Sequence, residues 1–165
     1  MEYRSDININ KISLSFKDKK IEKEYQQYYF KDSLIVLRIA LIIIALIYGA
    51  FGFLDITVAA QHKSLFFQIR YLVVIPYLFL IFLLSFFKNF EKIWQFLLFV
   101  AFLVGGTGII LMIIKMPDNL TYYAGLMLVF SAGYFFVKLR FILATLAGWI
   151  TLFIFLFAAI LFSKL

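Results

Sequence analysis

From Leu34 to Leu54 the chain reads LIVLRIALIIIALIYGAFGFL, a run of twenty-one residues with a single charge, Arg38. Few folds can accommodate such a run. Inside a lipid layer no water is available to backbone N–H and C=O groups, so a segment there must be a helix or one strand of a closed barrel. The run lacks the period-two alternation of a barrel strand, which leaves the helix. At about 1.5 Å rise per residue, roughly 20 residues cross a 30 Å hydrocarbon layer. That rule predicts five spans, at about 34–54, 69–87, 93–114, 122–137 and 141–162. The fold class is therefore all-α, a polytopic transmembrane helical bundle. The 65% hydrophobic composition agrees, since soluble domains lie nearer half.

The fourth span is short, so Thr121 and Leu139 are expected to extend it, with Lys138 and Arg140 snorkelling to the interface. Pro76 is expected to kink the second, because it removes one donor and crowds the preceding turn. The absence of cysteine excludes disulfide and thiolate chemistry. His62, the one histidine, has no carboxylates beside it in sequence, so neither a metal nor a cofactor is called for.

Orientation follows from the cations. With the N-terminus inside, eleven lie on the inner side: Arg4, Lys11, Lys17, Lys19, Lys20, Lys23, Lys31, Lys88, Lys92, Lys138 and Arg140. Four lie outside: Lys63, Arg70, Lys115 and Lys164. The positive-inside rule favours this arrangement and makes Lys138–Arg140 a cytoplasmic hairpin anchor. The net charge of +7 is read as attraction to an anionic inner leaflet rather than to nucleic acid. The polar N-terminus shows no cleavable signal peptide, and the expected location is the bacterial inner membrane. Five spans from an inside N-terminus would leave Leu165 outside. The closing Ser163-Lys164-Leu165 matches a peroxisomal address, read here as coincidence.

Residues 1–15 carry no strong period and are expected to be flexible. Residues 16–33, FKDKKIEKEYQQYYFKDS, hold helix formers and Tyr25, Tyr28 and Tyr29 at helical spacing. They predict an amphipathic cytoplasmic or interfacial lead-in helix.

Several blocks carry a family resemblance: LIYGAFGFLD (46–55), IRYLVVIPYL (69–78), GGTGIILM (105–112), YYAGLML (122–128), KLRF (138–141) and AGW (147–149). In this order they resemble the six-helix membrane domain at the N-terminus of many bacterial class III adenylate cyclases. Related sensor domains precede histidine kinases and diguanylate cyclases. The resemblance covers roughly residues 20–162. It implies a membrane anchor and dimerisation element that receives lipophilic or small-molecule signals. In the family a sixth helix leads to a catalytic domain; the quoted blocks hold neither that helix nor cyclase carboxylates, so no enzymatic activity is expected of this chain.

Asp55 closes the first span and Arg70 opens the second, both expected at the outer face. Pairing lowers the cost of charge near the membrane, so a clamp across the hairpin is the leading reading, and an outer-facing ligand site with Tyr122 and Tyr123 the sharper one. Those two tyrosines also suit an aromatic belt. Trp149 is expected deeper, between helices. Ala45, Gly49 and Gly52 share one face of the first helix and Ala144 and Gly148 one face of the fifth; such small residues serve packing within the chain or a homodimer contact. Gly105, Gly106 and Gly108 lack the lysine and strand–helix context of a phosphate loop and are read as packing sites.

Partners are thus the bilayer, a second copy and a lipophilic or small-molecule ligand, with no nucleic acid. A sensory input domain is the leading function. A small transporter or channel subunit is the alternative, disfavoured because the spans hold little midplane polarity. A membrane enzyme would need clustered acids, bases or nucleophiles, and the spacing supplies none.

Overall fold

A computed structural model of the chain describes residues 9–10, 14–116 and 121–162. Asp18 starts the first helix: its carboxylate accepts hydrogen bonds from the amides of Lys20 and Ile21, at 2.8 and 3.4 Å, satisfying donors that a helix start leaves open. From there α1 runs unbroken over Lys19–Val58, 40 residues. At 1.5 Å each that is about 60 Å, twice a hydrocarbon layer. The lead-in segment and the first apolar run are one rod, and the charged portion before Leu34 extends beyond the apolar run.

Four more helices follow among the described residues: α2 Lys63–Leu84, α3 Phe90–Lys115, α4 Thr121–Phe136 and α5 Phe141–Phe162. α1, α2, α3 and α5 are long and apolar enough to cross a bilayer, and α4 is shorter. The flexible-terminus expectation falls mainly on residues 1–8 and 11–13, and the Ser163–Leu165 motif on 163–165, all outside the described residues.

α2 is π-helical over Gln68–Val74. Pro76 has no N–H to return to the turn before it, and the Ile75 amide reaches back five residues to the Arg70 carbonyl. Pro76 thus widens the helix one turn upstream. α4 has a second π-helical stretch at Ala132–Phe136.

α3 is the axis. α2, α4 and α5 all pack on it, and half of its most apolar stretch is buried, against about a quarter for the other long helices. α1 lies on α2 and meets α4 mainly at the latter's π-helical end. Phe90, Leu98, Phe102, Ile109 and Met112 of α3 are the centre of the core, with Leu37, Leu41, Phe66, Ile81 and Ala147 against them. The outward faces carry Phe53, Leu72, Phe135, Phe153 and Phe157, the surface expected of a helix facing lipid rather than water.

The small residues serve contacts within the chain. Gly49 and Gly52 face Tyr71 of α2, whose hydroxyl donates to the Gly49 carbonyl at 2.7 Å. Ala45 is half-buried against the core. Ala144 is buried, and Gly148 faces the Tyr134 hydroxyl and Phe130 of α4. Gly106 lets Thr151 of α5 lie against the α3 backbone.

Two expectations are corrected. α4 gains Thr121 at its start but ends at Phe136 and does not include Leu139, because Lys138 sits at φ 55°, a left-handed conformation that terminates a right-handed helix. Trp149 is not between helices: it is 55% exposed and lies beside Phe153 on the outer face of α5.

Gly133 of α4 sits flat on the Phe102 ring, so a Cβ there would be driven into a buried, rigid side chain. Around Gly105 the nearest atoms to an added Cβ are at 3.8 Å, ordinary contact. Gly133→Ala is expected to destabilise the detergent-solubilised protein by about 1–3 kcal/mol, and Gly105→Ala to be near neutral. Thermal unfolding of the two variants side by side checks the α3–α4 packing.

Candidate functional site

Two charges with no water to hold them lie at one end of the bundle. Asp55 is in the last turn of α1 and Arg70 in the π-helical part of α2; they are 3% and 2% exposed. The short connection between α1 and α2 brings them face to face. Arg70 Nε donates to Asp55 Oδ2 at 2.6 Å and Nη2 to Oδ1 at 3.2 Å, a forked pairing that only a guanidinium makes. Nη1 donates to the Tyr48 carbonyl at 3.2 Å. Tyr48 is seven residues before Asp55, hence on the same face of α1, and its ring lies 5.0 Å from the guanidinium carbon. The Tyr122 hydroxyl of α4 donates to Asp55 Oδ1 at 3.0 Å. Three helices therefore converge on one carboxylate.

Both charges are desolvated, so their cost is offset only by their mutual attraction and these hydrogen bonds. Removing either partner would strand a buried charge. The polar knot also closes one end of a cavity of about 160 Å³ between α1 and α4. Ile43, Ile44, Ile47, Phe51 and Leu54 line it from α1, and Gly125, Leu128, Val129 and Phe136 from α4, with Ile109 of α3 at its floor. Apart from the knot and the hydroxyls of Thr121 and Ser131, its walls are hydrocarbon and aromatic.

At the other end of the bundle the Lys138–Arg140 turn is held by α1 and α3. Tyr29 and Gln95 Nε2 both donate to the Lys138 carbonyl, at 3.0 and 3.2 Å. Gln95 Oε1 accepts the Arg140 amide at 2.9 Å. Arg140 Nη2 pairs with Glu22 Oε1 at 2.6 Å; Glu22 also accepts from Gln26 at 2.7 Å and from the Phe16 amide at 3.0 Å. Partial burial pushes the Glu22 carboxyl up, but the bonds from Gln26 and Phe16 and the Arg140 cation outweigh it and hold the group below its ordinary range.

Of the residues singled out from sequence, Asp55, Arg70 and Tyr122 come together. Tyr123 does not: it points away and packs edge-on against Phe155 of α5. Adjacent helical residues diverge by about 100°, so only one of the pair can face the knot. Tyr122, 4% exposed, is thereby no belt residue. His62 precedes α2 as its cap residue and lies near the Phe66 ring. Tyr48 had a legible signal, its seven-residue spacing from Asp55. Arg38 did not: it reaches Ser85 at the end of α2, donating from Nε to Oγ at 2.9 Å and from Nη2 to the carbonyl at 2.6 Å, with its guanidinium over Phe86. Glu22, Tyr29 and Gln95 were equally invisible, since their partners lie from 43 to 118 residues away.

Comparison with known proteins places the sequence in a family. The sequence model of the MASE8 family matches residues 53–165, a stretch that contains Asp55, Arg70 and Tyr122. No curated protein and no solved structure matches the chain. The chain belongs to the MASE8 family of membrane-associated sensor domains, which fits a non-catalytic, sensory membrane role.

Arg70→Met is expected to destabilise the bundle by about 3–5 kcal/mol, because it leaves the Asp55 charge buried with Tyr122 alone. The Asp55→Leu/Arg70→Met double variant should recover most of that loss, as read from denaturant unfolding in detergent; a loss in the double variant equal to the sum of the two single losses would show that the residues act independently. For Glu22 the folded pKa is depressed, so its contribution is complete above the ordinary carboxylate range and disappears as pH falls through the folded value. The pair with Arg140 is partly exposed and screened, so the contribution is at most about 1 kcal/mol. In a Trp149→Phe background the remaining tryptophan, Trp94, lies against Tyr29 and Phe30. Its emission should shift as the pH falls below the ordinary carboxylate range and through the depressed folded value of Glu22, and Glu22→Gln should abolish that shift.

Proposed function

We propose, from membership in a sensor-domain family, that this chain is the membrane anchor and sensory input domain of a bacterial signal-transduction protein of the adenylate cyclase type. The reading places it in the inner membrane with five spans and the N-terminus in the cytoplasm, as the distribution of cations favours. It works as a homodimer. The observation that carries the reading is the Asp55–Arg70–Tyr122 knot, a fully desolvated ionic junction joining α1, α2 and α4. Ionisable groups within a membrane domain are expensive and are functional candidates for that reason.

Transmission follows from the shape of α1. One continuous helix connects the knot to the Tyr29 and Glu22 contacts with the Lys138–Arg140 turn. A ligand that prefers one spacing of α1 and α4 shifts the population toward it, and by no more than its difference in affinity for the two arrangements. Because α1 is a rod, a tilt at the Asp55 end displaces its charged end. The output element, a cyclase or a kinase-type effector, would read that displacement or the dimer geometry it sets.

The test is made in the source organism. The Asp55→Leu/Arg70→Met double variant at the chromosomal locus, which leaves no stranded charge, is expected to leave the protein folded in the membrane and to remove the stimulus-dependent change in intracellular cyclic AMP. Purified wild-type protein in liposomes should carry no solute flux. Measurable flux with unchanged cyclic AMP would overturn the sensory reading in favour of a transporter or channel subunit.

A further inference from the structure

We propose that the cavity between α1 and α4 is a lateral binding groove for a long-chain amphiphile whose head is uncharged and accepts hydrogen bonds, an ester, ketone or amide carbonyl, with Arg70 as the donor. The assignment deepens the sensory reading and rests on it for what occupancy does.

The length of the groove comes from its walls. Its lining runs along α4 from Tyr122 to Phe136, fourteen residue steps, or roughly 21 Å of helix. Along α1 it runs from Ala40 to Val58. This shape matches an extended alkyl chain lying parallel to the helices. A dry cavity of about this volume, lined by aliphatic and aromatic side chains, takes up apolar guests rather than water. The rim is apolar too: Ile43, Ile47, Leu54, Leu128 and Phe136 are between 44% and 60% exposed. Entry is therefore from the side, out of the lipid.

Only one end of the groove is charged, and it is a built site; away from it the lining's one polar side chain is Ser131. Arg70 carries five N–H donors. Three are engaged among the described residues, by both Asp55 oxygens and the Tyr48 carbonyl. Two remain, one on each terminal nitrogen, on a guanidinium that lines the cavity and is 2% exposed. Unmet donors on a desolvated cation favour an acceptor. The electrostatics decide the charge of that acceptor. Asp55 already balances Arg70, so the knot is neutral, and an anionic head would bring an uncompensated charge beside the Asp55 carboxylate. A carbonyl oxygen meets the same donors without that cost.

The walls can also respond. Near Tyr122, α1 and α4 are joined across the groove by one tyrosine side chain, and they approach each other mainly at Ala132–Phe136. That segment is π-helical, as is the segment bearing Arg70, and π-turns inside α-helices recur at functional sites.

The full-length chain in lipid nanodiscs is irradiated with a long-chain fatty acid methyl ester bearing a mid-chain diazirine, and the adducts are mapped by mass spectrometry. Labels are expected on α1 between Ile43 and Phe51 and on α4 between Gly125 and Phe136. Unlabelled methyl ester should compete roughly tenfold or more better than the alkane of equal length, the margin of one hydrogen bond to a charged donor. Ala132→Leu, which fills the groove without touching the knot, should lower labelling at least threefold, whereas Ile160→Phe on the outer face of α5 should not. Discs of ether-linked lipid separate two sources of the same chemistry. Stronger labelling there than in ester-lipid discs assigns the site to the membrane's own ester lipids; equal labelling assigns it to a free amphiphile.

Labels scattered over α5 and uncompeted by ester would mean annular lipid only and overturn the proposal. Better competition by the free fatty acid anion than by its ester would overturn the uncharged head. Cross-links between two chains across this groove would make it a dimer face and do the same. None of these outcomes bears on whether the Asp55→Leu/Arg70→Met double variant removes the cyclic AMP response, so the groove and the sensory reading fail separately.

Discussion

An arginine buried in a membrane bundle has to find a counter-charge and acceptors, and in this chain that requirement organises one whole end of the molecule. Arg70 lies in the part of α2 that Pro76 widens, and its guanidinium engages two oxygens of Asp55 and the carbonyl of Tyr48. Asp55, satisfied in this way, then holds Tyr122 and with it the start of α4. The pair is not an efficient source of stability, because desolvation takes back most of the Coulomb attraction. Its effect is geometric. Any arrangement of α1, α2 and α4 that separates these groups leaves a charge without water or partner, so alternative packings of otherwise interchangeable apolar helices are disfavoured.

Away from the knot, ordinary packing sets the architecture. α3 presents Gly105, Gly106 and Gly108 within an otherwise bulky helix, and neighbours come close at Gly106 and Gly108. Lipid tails are as apolar as leucine, so helix association here comes from close dispersion contact and buried hydrogen bonds rather than from the hydrophobic effect. The same reasoning explains why α1 and α4 are apart: no ridge of one fills the other between Tyr122 and Ser131, and a groove results. A gap in a bundle otherwise packed through α3 has a physical cost in lost contacts, which makes its persistence beside the desolvated Arg70 informative.

The two ends are connected by a single element. α1 carries Asp55 in its last turn and Glu22 in its first, so both polar networks draw on one rigid rod. The second network is softer. It is partly exposed, depends on a carboxylate that can be protonated, and closes on a turn whose Lys138 occupies a sparsely populated backbone region. The two junctions therefore differ in kind: one is fully desolvated and fixed in geometry, the other partly exposed and sensitive to protonation.

Much of this was legible in the order of residues alone. The helical class and the approximate position of each apolar run follow from backbone hydrogen bonding in lipid, a constraint local enough to act on any twenty-residue window. The meeting of Asp55 with Arg70 could be anticipated because one short connection separates them. Tyr122 could be named as a candidate but not distinguished from Tyr123, since which of two neighbours faces inward depends on how α4 is rotated about its axis. Partners distant in sequence were beyond reach: Arg38 with Ser85, Tyr29 and Gln95 with the Lys138 carbonyl, Glu22 with Arg140. Composition and periodicity determined that these helices exist, because each helix satisfies its own backbone. Only the tertiary structure decided which faces meet and where they do not, because the choice among apolar faces is made by shape and by a few buried polar groups that no single segment can satisfy alone.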